Sequence, residues 1–282
     1  MNVNDARSSV ERAVEYLKPR LPFAPRVGIV LGSGMGPYAD KAPVKLVEAY
    51  RDIPGFPVCT IAGHLGRLVL TDRCGIPVAL LQGRAHRYEG HTLEFITRPM
   101  RVLAGLGVET VIVTCAAGGL ADLSVGEIML VEDHLNVSGD NPLVSQAGAE
   151  SAFGGFVEMA GAYDPGLLDL AQDVAQSESL PARRGVLACV LGPTYETRAE
   201  AAMLRTLGAH AVNMSTVPEV IVARSLGLRV LAFALITNQA GVPVSQSASH
   251  HQVVATGESK AEAIGRFLDR LLARLQTDAP GS

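Results

Sequence analysis

Short apolar runs alternate with amphipathic stretches along most of this chain. From Asp5 to Leu17, the apolar residues Val10, Ala13, Val14 and Leu17 recur at helical spacing among charges, which predicts an amphipathic first helix. Pro19, Pro22 and Pro25 then break the pattern. Runs at Val27–Leu31, Leu68–Thr71, Val78–Leu81, Val108–Thr114, Gly185–Leu191, Ala211–Met214 and Leu228–Thr237 predict strands. Helical patterns fall between them at Thr92–Leu106, Leu167–Gln176, Thr197–Leu207, Val217–Ser225 and Gly257–Leu275. Strands alternating with helices predict an α/β fold with a mixed or mostly parallel sheet. With no internal repeat, linker or low-complexity block, a single domain over residues 1–282 is expected. The stretch from Ser138 to Gly161 stands apart: it is glycine-rich and unpatterned, and reads either as a functional loop or as a solvated connection.

Composition narrows the class of partner. Hydrophobic residues make up 48% of the chain and charged residues 18%, which supports a large buried core and excludes disorder. The net charge of −4 and the lack of a long basic run exclude a polymeric nucleic-acid partner, while a small phosphate-using substrate stays compatible. Cys59, Cys74, Cys115 and Cys189 form no C-x-x-C pair, so neither a zinc knuckle nor a disulfide framework is expected. Reduced thiols, an N-terminus without secretory character and the lack of a membrane-length apolar run together predict a cytoplasmic protein with no membrane partner.

Candidate chemistry gathers where the predicted strands end, which is where ligands bind in largely parallel sheets. Val212-Asn213-Met214-Ser215-Thr216-Val217-Pro218-Glu219 closes one apolar run and Ile236-Thr237-Asn238 closes another. Ser215 or Thr216 has the character of a helix cap followed by proline, whose free N–H groups suit a phosphate or a ribose hydroxyl as well as a purely structural turn. Gly32-Ser33-Gly34-Met35-Gly36 lets the backbone approach an anion, but it fails the dinucleotide fingerprint at Pro37 and lacks a P-loop lysine. An ordinary tight turn is the competing reading. In Gln82-Gly83-Arg84-Ala85-His86-Arg87-Tyr88, Arg84 and His86 would point the same way in extended backbone and could grip phosphate, or form a solvated turn. Thr114-Cys115-Ala116-Ala117-Gly118-Gly119 offers either an anion nest or close packing in a strand-to-helix turn.

These segments, with Gly63-His64-Leu65-Gly66-Arg67 and Gly192-Pro193-Thr194-Tyr195-Glu196-Thr197, make the chain resemble the trimeric, 6-oxopurine-specific purine nucleoside phosphorylases from about Val27 to the C-terminal helix. The resemblance implies a central mixed β-sheet, distorted and barrel-like, flanked by helices. It implies orthophosphate as co-substrate, no other cofactor, no metal, and a homotrimer. Ser33, His64, Arg84, His86, the Ala116 amide and Ser215 would bind phosphate. Tyr88 and Met214 would hold the ribose, Tyr195 would pack on the purine, and Glu196 would accept from its N1–H. Asn238, beside Thr237, would face N7 and O6. His250 best matches the histidine at the 5′-hydroxyl; His251 is its neighbour, and the loop before it departs in length from the family pattern. Phe153 matches an aromatic lent by a neighbouring subunit.

The implied reaction is phosphorolysis of inosine, guanosine and their deoxy forms, with Asn238 stabilising the departing base, Glu196 orienting it and His86 placing phosphate. A 5′-methylthioadenosine or 5′-methylthioinosine phosphorylase and a non-catalytic nucleoside-binding protein are the alternatives. A dinucleotide-dependent oxidoreductase fits less well, because the Gly32–Gly36 loop fails its fingerprint.

Overall fold

Strands that are apolar at every position belong in a sheet covered on both faces, and Val27–Leu31 is buried throughout its length. The computed structural model describes residues 3–41, 43–61, 63–120, 122–144, 155–242 and 249–277. The first half contains α1 (Val3–Leu17), β1 (Val27–Leu31), α2 (Pro37–Asp40), β2 (Val44–Ala49), β3 (Arg67–Arg73), β4 (Ile76–Gln82), α3 (Leu93–Ile96), α4 (Arg98–Gly105), β5 (Thr110–Gly119) and β6 (Ile128–Asn136). The second half contains α5 (Pro165–Ser177), β7 (Ala182–Cys189), α6 (Arg198–Thr206), β8 (Ala211–Asn213), α7 (Thr216–Ser225), β9 (Arg229–Gln239) and α8 (His250–Thr277). No helix of the described residues is long and apolar enough to cross a membrane.

The strands form one mixed sheet in the order β2-β3-β4-β1-β5-β8-β7-β6-β9, and β9 pairs back onto β5. Strands β5, β8, β7, β6 and β9 therefore close into a barrel-like ring, as the resemblance implied, while β1 to β4 extend it as an open wing. β1 runs parallel to β4 and β5, and β5 runs parallel to β9, so these strands deliver their carboxyl ends to one side of the molecule. Helices α7 and α8 pack on this sheet; Phe233 of β9 meets Phe267 of α8 edge to face at 5.5 Å.

Four local expectations change. The Thr92–Leu106 helix is broken at Thr97 into α3 and α4, because Pro99 in the first turn of α4 lacks the N–H that would continue the ladder. Helix α8 begins at His250 rather than Gly257. Gly257 lies inside it because the helix touches the loop after β1 there: a Cβ at Gly257 would lie 2.6 Å from the Cα of Gly34. Strands β2 and β6 carried no clear pattern; β2 is an exposed edge, and β6 turns from buried Ile128–Val131 to polar Glu132 and Asp133. Finally, Thr114–Gly119 is no strand-to-helix turn. It continues β5 alongside β9 as far as Gly119, with a bulge that leaves Thr237 opposite no residue between the pairs Ala117–Ile236 and Gly118–Asn238.

Candidate active site

The carboxyl ends of β1, β5, β8 and β9 and the loop after β4 converge on one cleft. It is lined by Ser33, His64, Arg84, His86, Tyr88, Ala116, Tyr195, Glu196, Met214, Ser215, Thr237 and Asn238. Two expected residues are not among the side chains the structure describes. Phe153 lies outside the described residues, and His250 opens α8 with a side chain outside them. The neighbouring His251 is exposed.

One end of the cleft is rich in donors. His64 Nδ1 accepts the Arg84 N–H at 3.2 Å, so the neutral ring carries its proton on Nε2, 3.2 Å from Ser33 Oγ. This contact needs Gly83, which has φ +118° and where a Cβ would lie 2.8 Å from that of His64. Arg84 is buried, and its Nη1 donates to Ser215 Oγ at 3.0 Å and Thr216 Oγ1 at 3.3 Å, while Nη2 donates to the Thr114 carbonyl. Ser215 occupies the cap position of α7, but its hydroxyl makes no cap bond and serves Arg84 instead.

His86 is held by Glu89, which accepts its backbone N–H at 2.6 Å and lies 3.2 Å from Nδ1. Desolvation pushes the Glu89 carboxyl up, but hydrogen bonds from His86 and Thr60 outweigh it and hold the group at about 2. The His86 ring stacks on Tyr88 with centroids 4.8 Å apart. Of the two readings open at Ala116, a nest or a strand-to-helix turn, neither describes it: the residue lies within β5, paired with β9 on one side. Beyond Val113, β5 no longer pairs with β1, and β8 joins it only at Gly118, so Ala116 lies in a gap between two neighbours. A backbone amide in such a gap can serve a ligand without a nest.

The other end is suited to a planar, polar heterocycle. Tyr195 is half-exposed beside Glu196, whose carboxyl is pushed up by burial and further by Glu200. Thr237 Oγ1 lies 3.1 Å from Asn238 Oδ1 and 3.4 Å from the Ala117 carbonyl. Because the bulge makes Thr237 an extra residue, consecutive Thr237 and Asn238 both line the cleft instead of facing opposite sides.

Sequence reasoning gave no role to Glu89, Thr60, Thr114 or Glu219. The three-residue spacing of His86 and Glu89, a capping-box interval, was a usable signal. So was the lone carboxylate of Glu219 in the apolar run Val217–Ala223, since a buried charge requires a partner. Among the described residues no group of three His, Cys, Asp or Glu side chains is placed to hold a metal ion.

Residues 26–273 match the model of the phosphorylase superfamily. Purine nucleoside phosphorylase 1 of Bacillus subtilis is 43% identical over 274 residues, covering 96% of this chain and 100% of the relative. Isoform 2 of purine nucleoside phosphorylase from Schistosoma mansoni, solved with cytosine and ribose-1-phosphate, superposes with a TM-score of 0.84 at 35% identity, covering 95% of this chain and 96% of that one. A second Schistosoma purine nucleoside phosphorylase, solved with hypoxanthine, gives a TM-score of 0.86 at 33% identity over 99% of each chain. The chain belongs to the phosphorylase superfamily and, within it, to the purine nucleoside phosphorylases.

Proposed function

We propose that this protein cleaves the N-glycosidic bond of purine ribonucleosides and deoxyribonucleosides with orthophosphate, mainly inosine and guanosine. The products are the free base and ribose or deoxyribose 1-phosphate, as in purine salvage. The observation that carries this reading is the pairing, in one cleft, of a donor cluster at Ser33, His64, Arg84, His86 and Ser215 with a base-sized end at Tyr195, Glu196, Thr237 and Asn238. The solved relatives support it, one with a sugar phosphate bound and one with a purine base.

The chemistry requires no covalent enzyme nucleophile. A phosphate oxygen donates an electron pair to the anomeric carbon as the bond to purine N9 breaks, and that bonding pair passes into the purine ring. Arg84, Ser33, Ser215 and the Ala116 amide bind and orient the phosphate in this reading, with His86 held at its angle by Glu89. Tyr88 and Met214 hold the ribose between the two ends, His250 serves the 5′-hydroxyl, and a neighbouring subunit of a homotrimer lends Phe153. Glu196 accepts from N1–H and orients the base. A carboxylate cannot stabilise new negative charge, so Asn238 carries that task as donor to N7 and O6. A single pre-organised donor of this kind lowers the barrier by about 2.7–4 kcal/mol.

Orthophosphate is the co-substrate, and no step asks for a further cofactor. A cytoplasmic location accords with four unpaired cysteines. The direct test is product stoichiometry: hypoxanthine release from inosine should require phosphate and yield one ribose 1-phosphate per base. Free ribose as the product would identify a hydrolase instead, and no release at all a binding protein.

A further inference from the structure

Among the described residues, the buried side-chain atoms without a hydrogen-bond partner sit together beneath the donor cluster: Nε of Arg84, Oδ1 of Asn213 and Oε2 of Glu219. Arg84 and Asn213 are joined through the Thr216 hydroxyl, which accepts from Asn213 Nδ2 at 2.9 Å and from Arg84 Nη1 at 3.3 Å. Glu219 stands in the first turn of α7, a helix in which every residue but Arg224 is buried. Its Oε2 lies 3.1 Å from Arg84 Nη1, a charge contact without aligned hydrogen-bond geometry, and both side chains are under a tenth exposed. Burial pushes the Glu219 carboxyl up, and the Arg84 charge opposes that shift.

A buried guanidinium without a counter-ion is strongly disfavoured, so removing one member of such a pair leaves the other uncompensated. Orthophosphate would bring a second anion to the same cation. Two anions sharing one buried guanidinium repel each other, and low surrounding polarity enlarges the repulsion. We propose that Glu219 is a positioning residue, the resting counter-ion of Arg84: it holds the guanidinium in place when no phosphate is bound, and by sharing its charge it weakens phosphate binding so that the sugar phosphate product leaves. This inference rests on the phosphorolytic reading above. It predicts a phosphate affinity set below the maximum that the donor cluster could reach.

The test compares Glu219→Gln and Glu219→Asp with the parent protein in phosphate KM, kcat and the rise in melting temperature caused by added phosphate. Glu219→Gln keeps the shape but removes the charge. Its phosphate KM should fall by at least about tenfold, since a unit charge acting across a few ångströms of protein, at an effective dielectric constant of about 20, supplies more than that. Its kcat should fall as product release slows. It should melt lower than the parent without phosphate, and phosphate should raise its melting temperature by a larger increment than in the parent. A purely structural role would lower melting but leave that increment unchanged. Glu219→Asp withdraws the charge by one methylene and should lie between the two.

Folding of Glu219→Gln only in phosphate would also support the proposal. Should that variant stay unfolded in saturating phosphate, Glu219→Asp decides: a phosphate KM below the parent's supports the proposal, and one equal to or above it overturns it. In folded variants, an unchanged or raised phosphate KM in both overturns it. The thermal shift needs no turnover, so the charge relationship can be read independently. Absence of phosphate-dependent base release by the parent protein would instead defeat the functional reading.

Discussion

Thr237 Oγ1 lies 3.1 Å from Asn238 Oδ1, and this contact sets which face of the carboxamide a base would meet. A hydroxyl has one proton. When Thr237 donates it to Oδ1, Asn238 Nδ2 directs one N–H at the Gln239 carbonyl, 3.4 Å away, and can turn the other to a 6-oxo purine. Asn238→Ala should lower kcat for inosine by about 10²–10³, the cost of losing one pre-organised donor. Asn238→Asp should lower inosine turnover and raise the relative use of adenosine; unchanged selectivity would remove Asn238 from this role. Steady-state kinetics on both nucleosides checks it.

The His86–Glu89 contact makes a prediction about acid stability. Glu89 is held at about 2 against an ordinary 4.5, so the folded state favours its ionised form. Its stabilising contribution is therefore fully present above pH 4.5 and is lost as pH falls from there toward 2. Glu89→Gln should be less stable at neutral pH and converge on the parent protein at low pH. Denaturation midpoints across that range measure the convergence, and the same variant should raise phosphate KM by loosening His86.

Glu196 behaves in the opposite sense. Burial, with Glu200 adding to it, pushes its carboxyl up, so its proton is taken on at a higher pH than an ordinary glutamate's. A protonated carboxyl no longer accepts from N1–H as a carboxylate does. The kcat/KM for inosine should therefore lose a contribution as pH falls through a region above 4.5. In Glu196→Gln that limb should vanish, with kcat/KM low throughout. An identical acid limb in parent and variant would assign the titration to another group.

The loop that carries Ser33 depends on helix α8 for its position. A Cβ at Gly257 would lie 2.6 Å from the Cα of Gly34 and 2.9 Å from the Ser33 carbonyl. Gly257→Ala should force the loop and helix apart, costing about 1–3 kcal/mol as overpacked contacts do. Phosphate KM should rise more than inosine KM. Thermal melting and the two Michaelis constants together test this coupling.

What was legible in the chain follows from the physics of each element. Largely buried strands such as β1 and β4 announce themselves as apolar runs, and the polar residues at their ends stand out for that reason. The edge strand β2 does not, since Val44, Lys45 and Val47 are exposed and local pattern gives no sign of pairing. Placement in the cleft was readable at Ser33, Arg84, His86, Ser215 and Asn238 through motif and resemblance. The structural basis at Ala116 was not. Small residues suggested a turn, whereas Ala116 lies within β5 beside a gap between β1 and β8, and strand pairing over such distances leaves no mark in a single segment. The Arg84–Glu219 pair was hidden for the same reason, being separated in sequence and joined only by the packing of α7 beneath the sheet ends.

The central claim is phosphorolysis of 6-oxopurine nucleosides, and one assay series addresses it most directly. Base release should be measured with and without phosphate for inosine, guanosine, adenosine and 5′-methylthioinosine. Phosphate-dependent release from inosine and guanosine is expected, with weak use of the methylthio compound and discrimination against adenosine of about 10⁴-fold, as where mismatched buried polar groups go unpaired. Adenosine cleaved as efficiently as inosine, or base released equally well without phosphate, would contradict it.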